Sequence, residues 1–311
     1  MVNLFSLCLW SADHPANISY LLKHAASGDI EAQFKLGVAF QTGSGVTQDF
    51  AQAAYWYRKA ADSGSSGAQT NLGNLYAEGK GVARDEAMAL KWFLRAAAQG
   101  DPVAEISLGC MYVNRKGDLR PDYSEAARWF GKTAAQHVAS GKANLATLYT
   151  LGLGVPHDPA KAAKLYLAAA KQGDLYSQTM IAWMFQNGIG LRRDLSKSLK
   201  WNRVAAQHGY PRAFNNLGYL YEHGLGVSAD AAQAAKLYRQ AAELGLPEAQ
   251  RKLALMYSEG SGVPKDNGEA QLWLTKASAG GVENSREVAK SGGEIPIRAS
   301  SLGDAIAGEA H

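Results

Sequence analysis

The sequence predicts an all-α solenoid built from helix-turn-helix repeats, and three observations carry that prediction. A leucine returns at Leu36, Leu72, Leu108, Leu145, Leu217 and Leu253, with Ile181 in the remaining slot, at steps of 36 residues with a single step of 37. A glycine pair follows in six units: Gly43 and Gly45, Gly79 and Gly81, Gly152 and Gly154, Gly188 and Gly190, Gly224 and Gly226, Gly260 and Gly262. An aspartate comes next in every unit, at Asp49, Asp85, Asp122, Asp158, Asp194, Asp230 and Asp266. A repeat of this length cannot bury its own apolar face, so it must stack on its neighbours. Function is therefore expected from a surface and not from one pocket.

Each unit opens on a helix whose buried stripe follows i, i+4 spacing, as in Ala68, Leu72 and Tyr76. The stripe recurs as Ala32, Leu36, Phe40; Ala104, Leu108, Tyr112; Ala213, Leu217, Tyr221; and Ala249, Leu253, Tyr257, and more loosely as Gly141, Leu145, Tyr149 and Ser177, Ile181, Phe185. Gly37, Gly73, Gly109 and Gly218 sit inside this helix, each at a propensity cost of about 1 kcal/mol. Ala146, Ala182 and Ala254 replace them elsewhere, so a limit on size, set by close helix approach, accounts for the position. The glycine pair supplies a left-handed cap and the turn after it. The aspartate precedes the second helix as an N-cap, and Gln52, Glu125, Gln233 and Glu269 three residues on suggest a reciprocal capping box. The second helix sets Trp56-Tyr57, Trp92-Phe93, Trp129-Phe130 or Trp201 against alanine pairs, which is core packing of large against small. It closes on Gly64, Gly100, Gly173, Gly209 and Gly245; the fourth unit starts irregularly, with His137 where the glycine that ends the preceding helix belongs. The third unit also departs, with Arg115-Lys116-Gly117 in place of the glycine pair, which marks residues 114–121 as a candidate contact loop and residues 114–141 as a region of altered geometry.

The patterns Ala-x3-Leu-Gly-x2-Tyr, Gly-x-Gly-Val, Asp, Ala-x2-Trp-Tyr and Ala-Ala-x2-Gly together resemble the Sel-one-like repeat (SLR) family, a relative of the tetratricopeptide repeat. The resemblance implies a right-handed α/α superhelical solenoid. It covers about residues 29–281 in seven units, preceded by a half-unit in which Tyr20, Ala25 and Gly28 stand 36 residues before Trp56, Ala61 and Gly64. The expected organisation is a short apolar N-terminal segment over 1–14, the solenoid over 15–281, a capping helix over 282–291 and a flexible Gly-, Ser- and Ala-rich tail over 292–311.

Composition narrows the function classes. The formal charge is +4, from 32 basic and 28 acidic residues spread along the chain, so nucleic acid is not expected as a partner. Cys8 and Cys110 stand in unrelated contexts, with neither a disulfide framework nor zinc spacing. No apolar run reaches the ~18 residues of a membrane span. Met1 to Trp10 lacks the basic start of a signal peptide, which favours a hydrophobic cap or docking segment and a cytoplasmic location; a true signal would place the protein in the periplasm or outside the cell. Gly131-Lys132-Thr133 fails as a phosphate loop because Ala126 occupies the first glycine position. Gly-x-Ser-x-Gly, Ser-x-x-Lys and His-Glu-x-x-His are missing, and the seven histidines keep no register, so neither an enzyme nor a cofactor is expected.

By analogy with tetratricopeptide arrays, the first helix of each unit lines a concave face, and the residues beside its buried stripe form the candidate partner site. These are Phe34, Lys35, Asn71, Asn74, Asn144, Thr147, Met180, Trp183, Gln186, Asn216, Tyr219 and Glu222. Asn71, Asn144 and Asn216 share one position, where an amide can both donate to and accept from an extended peptide. Trp183 and Tyr219 occupy adjacent units where the pattern requires no aromatic, and such residues anchor interfaces. The expected function is a monomeric, non-enzymatic scaffold or adaptor that holds a protein or extended peptide. The resemblance also implies a second reading, a bacterial immunity or inhibitor protein that covers a secreted effector enzyme.

Overall fold

The computed structural model describes residues 18–114 and 121–279. The segments expected at 1–14, 282–291 and 292–311, and all but the ends of the irregular 114–121 loop, lie outside the described residues. Among the described residues every regular element is a helix. One compact unit, ending at Pro121, holds α1 (Ile18–Ala26), α2 (Ile30–Thr42), α3 (Phe50–Asp62), α4 (Ser66–Glu78), α5 (Glu86–Ala98) and α6 (Pro102–Val113). A second, beginning at Asp122, holds α7 (Tyr123–Ala135), α8 (Ala139–Leu151), α9 (Pro159–Ala170), α10 (Leu175–Asn187), α11 (Leu195–Gln207), α12 (Pro211–Glu222), α13 (Ala231–Glu243), α14 (Pro247–Glu259) and α15 (Asn267–Ala279). Within each unit consecutive helices pack in chain order.

The tryptophans of the second helices join neighbouring repeats. Trp92 shares one cluster with Ala53, Tyr57, Ala61 and Leu72, and Trp273 shares another with Ala234, Tyr238 and Leu253. Trp56 packs on Leu21 and Ala25 of α1, so the half-unit before the first full repeat supplies real core. At Gly37, Gly73 and Gly218 the first-helix glycine faces the second-helix ring of its own hairpin. A Cβ on Gly37 would lie 2.4 Å from Tyr57, and one on Gly73 would lie 2.6 Å from Phe93, which accounts for glycine in mid-helix against propensity.

The second glycine of the turn contacts the repeat before it at Gly81, Gly154, Gly190, Gly226 and Gly262. A Cβ on Gly81 would fall 2.1 Å from the Phe50 carbonyl carbon, one on Gly154 2.2 Å from that of Tyr123, and one on Gly262 2.1 Å from the Ala231 carbonyl oxygen. No side chain fits there. The turn of one repeat therefore seats directly on the first residue of the second helix in the preceding repeat.

The recurring aspartates are N-caps, as expected: Oδ1 of Asp49 accepts from the Ala51 and Gln52 amides, that of Asp158 from Lys161 and that of Asp230 from Gln233. The capping box is not formed at Asp49, Asp230 or Asp266. Their own amides, which Gln52, Gln233 and Glu269 would have to reach, instead donate to the carbonyls of Phe40, Tyr221 and Tyr257 at 2.8–2.9 Å. That bond ties the turn to the end of the first helix and removes the box's second donor.

His137 is left-handed at φ 65°, alone among the described non-glycine residues, and occupies the position filled by glycine in other repeats. Its carbonyl accepts from Lys142 Nζ at 3.1 Å and Gln172 Nε2 at 2.9 Å, bonds that a glycine would keep. Replacing His137 with Gly is expected to stabilise the fold by about 1 kcal/mol, read as a higher denaturant midpoint. Gly81→Ala should cost at least about 3 kcal/mol, because left-handed strain adds to a backbone collision. Gly100 is equally left-handed but a Cβ there meets nothing within 4 Å, so Gly100→Ala should cost only about 1 kcal/mol in the same titration.

Candidate partner-binding surface

A layer of buried hydroxyls lies beneath the first-helix face. Tyr57 reaches from α3 to donate to Gln41 Oε1 at 2.7 Å. Tyr166 pairs with Thr147 Oγ1 at 2.8 Å, and Tyr238 donates to Glu222 Oε2 at 2.6 Å, where Lys252 Nζ approaches to 3.5 Å. In the fifth repeat Asn202 replaces the ring and accepts from Asn216 Nδ2 at 3.2 Å. Burial raises all three tyrosine hydroxyls well above the ordinary phenol range, and the carboxylate of Glu222 raises that of Tyr238 further. These groups stay protonated, and their hydrogen bonds fix the face above them, with Tyr57 and Tyr238 as donors.

This layer sorts the sequence candidates. In the first unit Phe34, Lys35, Asn71 and Asn74 are half-buried; Phe34 lies against Gly67 and the Tyr57 ring, and Lys35 pairs with Glu31 one turn earlier. In the second unit Asn144, Thr147 and Met180 are only 1%, 2% and 1% exposed, so no partner reaches them in this conformation. Trp183, Gln186, Asn216, Tyr219 and Glu222 keep accessible surface. The alternating asparagines thus do not share one state: Asn71 is half-buried, Asn216 is engaged from below, and Asn144 is enclosed.

What the second unit does bring together is a ladder of large side chains. Trp183, Tyr219 and Leu255 occupy equivalent positions of α10, α12 and α14, and Leu255 is 48% exposed. The His223 ring stacks on Tyr219 at 4.1 Å, its Nδ1 2.9 Å from the Tyr219 carbonyl and 3.8 Å from Glu222 Oε2. The patch therefore pairs large, mainly apolar rungs with one polar edge, at Glu222, His223 and Lys252.

A second set of residues escaped the sequence reading. The amides of Gln33, Gln69, Gln178 and Gln250 are buried and donate to the carbonyls of Ala25, Ala61, Ala170 and Ala242 at 3.0–3.2 Å, joining each first helix to the helix before it. Their recurrence directly after the first stripe residue was the available signal. Lys142 takes the position in the fourth repeat, and desolvation holds its ammonium below the usual lysine range. Among the described residues no three His, Cys, Asp or Glu side chains gather to hold a metal, and no helix is long and apolar enough to cross a membrane.

Helical hairpins stacked in chain order, with their accessible chemistry on helix faces, define an α/α repeat protein. The Sel1 repeat model matches residues 30–65, 66–101, 102–138, 139–174, 175–210, 211–246 and 247–282, and the chain belongs to the Sel1 repeat family. It is similar to the crystal structure of c5321, a protective antigen of uropathogenic Escherichia coli strains with an SLR fold, at 36% identity and a TM-score of 0.70. That match covers 85% of this chain and 57% of the other, so the chain spans little more than half the length of that relative. A Sel1 repeat protein from Oxalobacter formigenes matches at 33% identity and a TM-score of 0.69, over 86% of this chain and 77% of its own. Curated proteins give no match.

Cys110 lies half-buried on the first-helix face of α6, and burial pushes its thiol up to about 12. In a Cys8→Ser background, native protein should alkylate with iodoacetamide at pH 8 at least about tenfold more slowly than the urea-unfolded chain, because little thiolate forms. Equal rates would place the thiol in solvent.

Proposed function

We propose that this protein is a non-catalytic scaffold that holds another protein along the first-helix face of residues 122–281. The observation that carries the reading is the ladder of Trp183, Tyr219 and Leu255, three large side chains at one repeat position that retain accessible surface. Beneath it Asn216 and Glu222 are already hydrogen-bonded to Asn202 and Tyr238, so a partner that covers the ladder buries large side chains over a fixed floor and has to meet the Trp183 indole N–H and the Tyr219 hydroxyl. An extended segment suits the spacing, since one rung per repeat accepts side chains in series. Glu222 and His223 would receive a basic or hydrogen-bonding group beside the middle rung.

The test is affinity capture from the native host with cross-linking mass spectrometry, comparing wild type with a Trp183→Ala, Tyr219→Ala double variant. Cross-links near these positions in wild type, lost with the partner in a variant of unchanged helical circular dichroism, are the expected result. Truncating two anchors should weaken binding by about 2–4 kcal/mol, or roughly 30- to 1,000-fold. A partner that stays bound, with cross-links on the second-helix face, contradicts the assignment.

A further inference from the structure

The charges that are dispersed along the sequence are gathered by the repeat register. Lys164, Lys200 and Lys236 lie one repeat apart at equivalent positions of α9, α11 and α13, and all three are exposed. Glycine turns and apolar contacts hold these helices side by side: Gly190 seats on the Pro159 carbonyl at the start of α9, Gly226 on Leu195 at the start of α11, and Leu199 of α11 clusters with Leu237 of α13. Neither α9 nor α11 contains an acidic residue, and α13 contains only Glu243.

The neighbouring cations are held in place from within. Lys161 donates to the Tyr149 hydroxyl, Arg203 to that of Tyr221 at 3.4 Å and Arg239 to that of Tyr257, while Lys197 pairs with Asp194 at 3.1 Å. Asp158, Asp194 and Asp230, the nearest carboxylates in sequence, accept from helix amides. Lys164, Lys200 and Lys236 carry no ion pair or hydrogen bond among the described residues, so the middle of the strip is a row of uncompensated positive charge.

Two recesses open on this strip, both beside α11. One, of about 420 Å3, lies between α11 and the turn before α13 and combines Lys200 and Arg203 with Leu199, Val204 and Val227. The other, of about 390 Å3, is formed by Arg192, Arg193, Asp194 and Lys197. A cation above an apolar floor fits a glutamate side chain, which buries its methylenes while its carboxylate meets the lysine. No exposed aromatic ring stands on α9, α11 or α13 to stack a base.

We infer that the second-helix face of α9, α11 and α13 is a docking surface for an acidic protein segment, separate from the first-helix ladder. Complementary charge there raises the encounter rate and sets orientation, and its contribution falls with salt.

The direct test measures binding of a fluorescein-labelled poly-L-glutamate of about 20 residues by anisotropy, against a duplex DNA of similar charge and phosphatidylglycerol vesicles. Wild type should bind polyglutamate better than either alternative, and the affinity should fall about tenfold between 50 and 300 mM NaCl. Lys164→Glu, Lys200→Glu, Lys236→Glu in one chain should lower it at least about tenfold, the milder triple Lys→Gln variant by less, and Lys23→Glu, an exposed lysine of α1 outside this register, hardly at all. Equal loss with Lys23→Glu, or no binding by wild type, would overturn the surface. Tighter binding to DNA or to vesicles would overturn the acidic protein partner in favour of a nucleic acid or a membrane. Because the ladder is untouched in these variants, failure here leaves the first-helix assignment standing, and the converse also holds.

Discussion

The contact on which the rest depends is a glycine seated on a backbone carbonyl. Gly190 would place a Cβ 2.0 Å from the Pro159 oxygen, and Gly262 would place one 2.1 Å from that of Ala231. Each contact links a turn to the second helix of the preceding repeat, 31 residues earlier. Because only hydrogen fits, the approach has little latitude, and the offset between repeats is set by backbone on backbone. The left-handed turn, the aspartate cap and the aspartate amide bonded to the aromatic residue's carbonyl then hold the segment at the angle that makes the approach possible.

A fixed offset turns sequence periodicity into surface. Equivalent residues come to lie side by side, so a single substitution pattern repeated every 36 residues writes a stripe across helices. Two such stripes stand out in the second unit: the rungs at Trp183, Tyr219 and Leu255, and the lysines at 164, 200 and 236. Both are supported from below. Buried tyrosine hydroxyls and Asn202 fix residues of the first-helix face, while aromatic hydroxyls and helix caps occupy the groups flanking the lysines. The prearranged side chains have less freedom left to lose when a partner arrives.

Much of the fold was legible because it rests on local rules with a long period. The leucine stripe, the left-handed glycines and the N-cap aspartates each follow from backbone chemistry at fixed spacing, and even the missing glycine at His137 shows as strain at that residue. The capping box was misread because its geometry depends on where the aspartate amide goes, and a distant carbonyl competes for it. The site was less legible. Asn144, Thr147 and Met180 share positions with accessible residues in other repeats, and only the packing around each helix decides that they are enclosed. The basic strip escaped for the opposite reason, since lysines 36 residues apart look dispersed until the fold stacks them.

Native-state hydrogen exchange on a Gly190→Ala variant tests the central claim most directly. If the turn of one repeat is held by the helix start of the repeat before it, amide exchange should quicken at two places together, around residues 188–194 and at the first turn of α9 near Pro159. Faster exchange confined to the substituted turn, with the start of α9 as protected as in wild type, would contradict the claim that this contact sets the register.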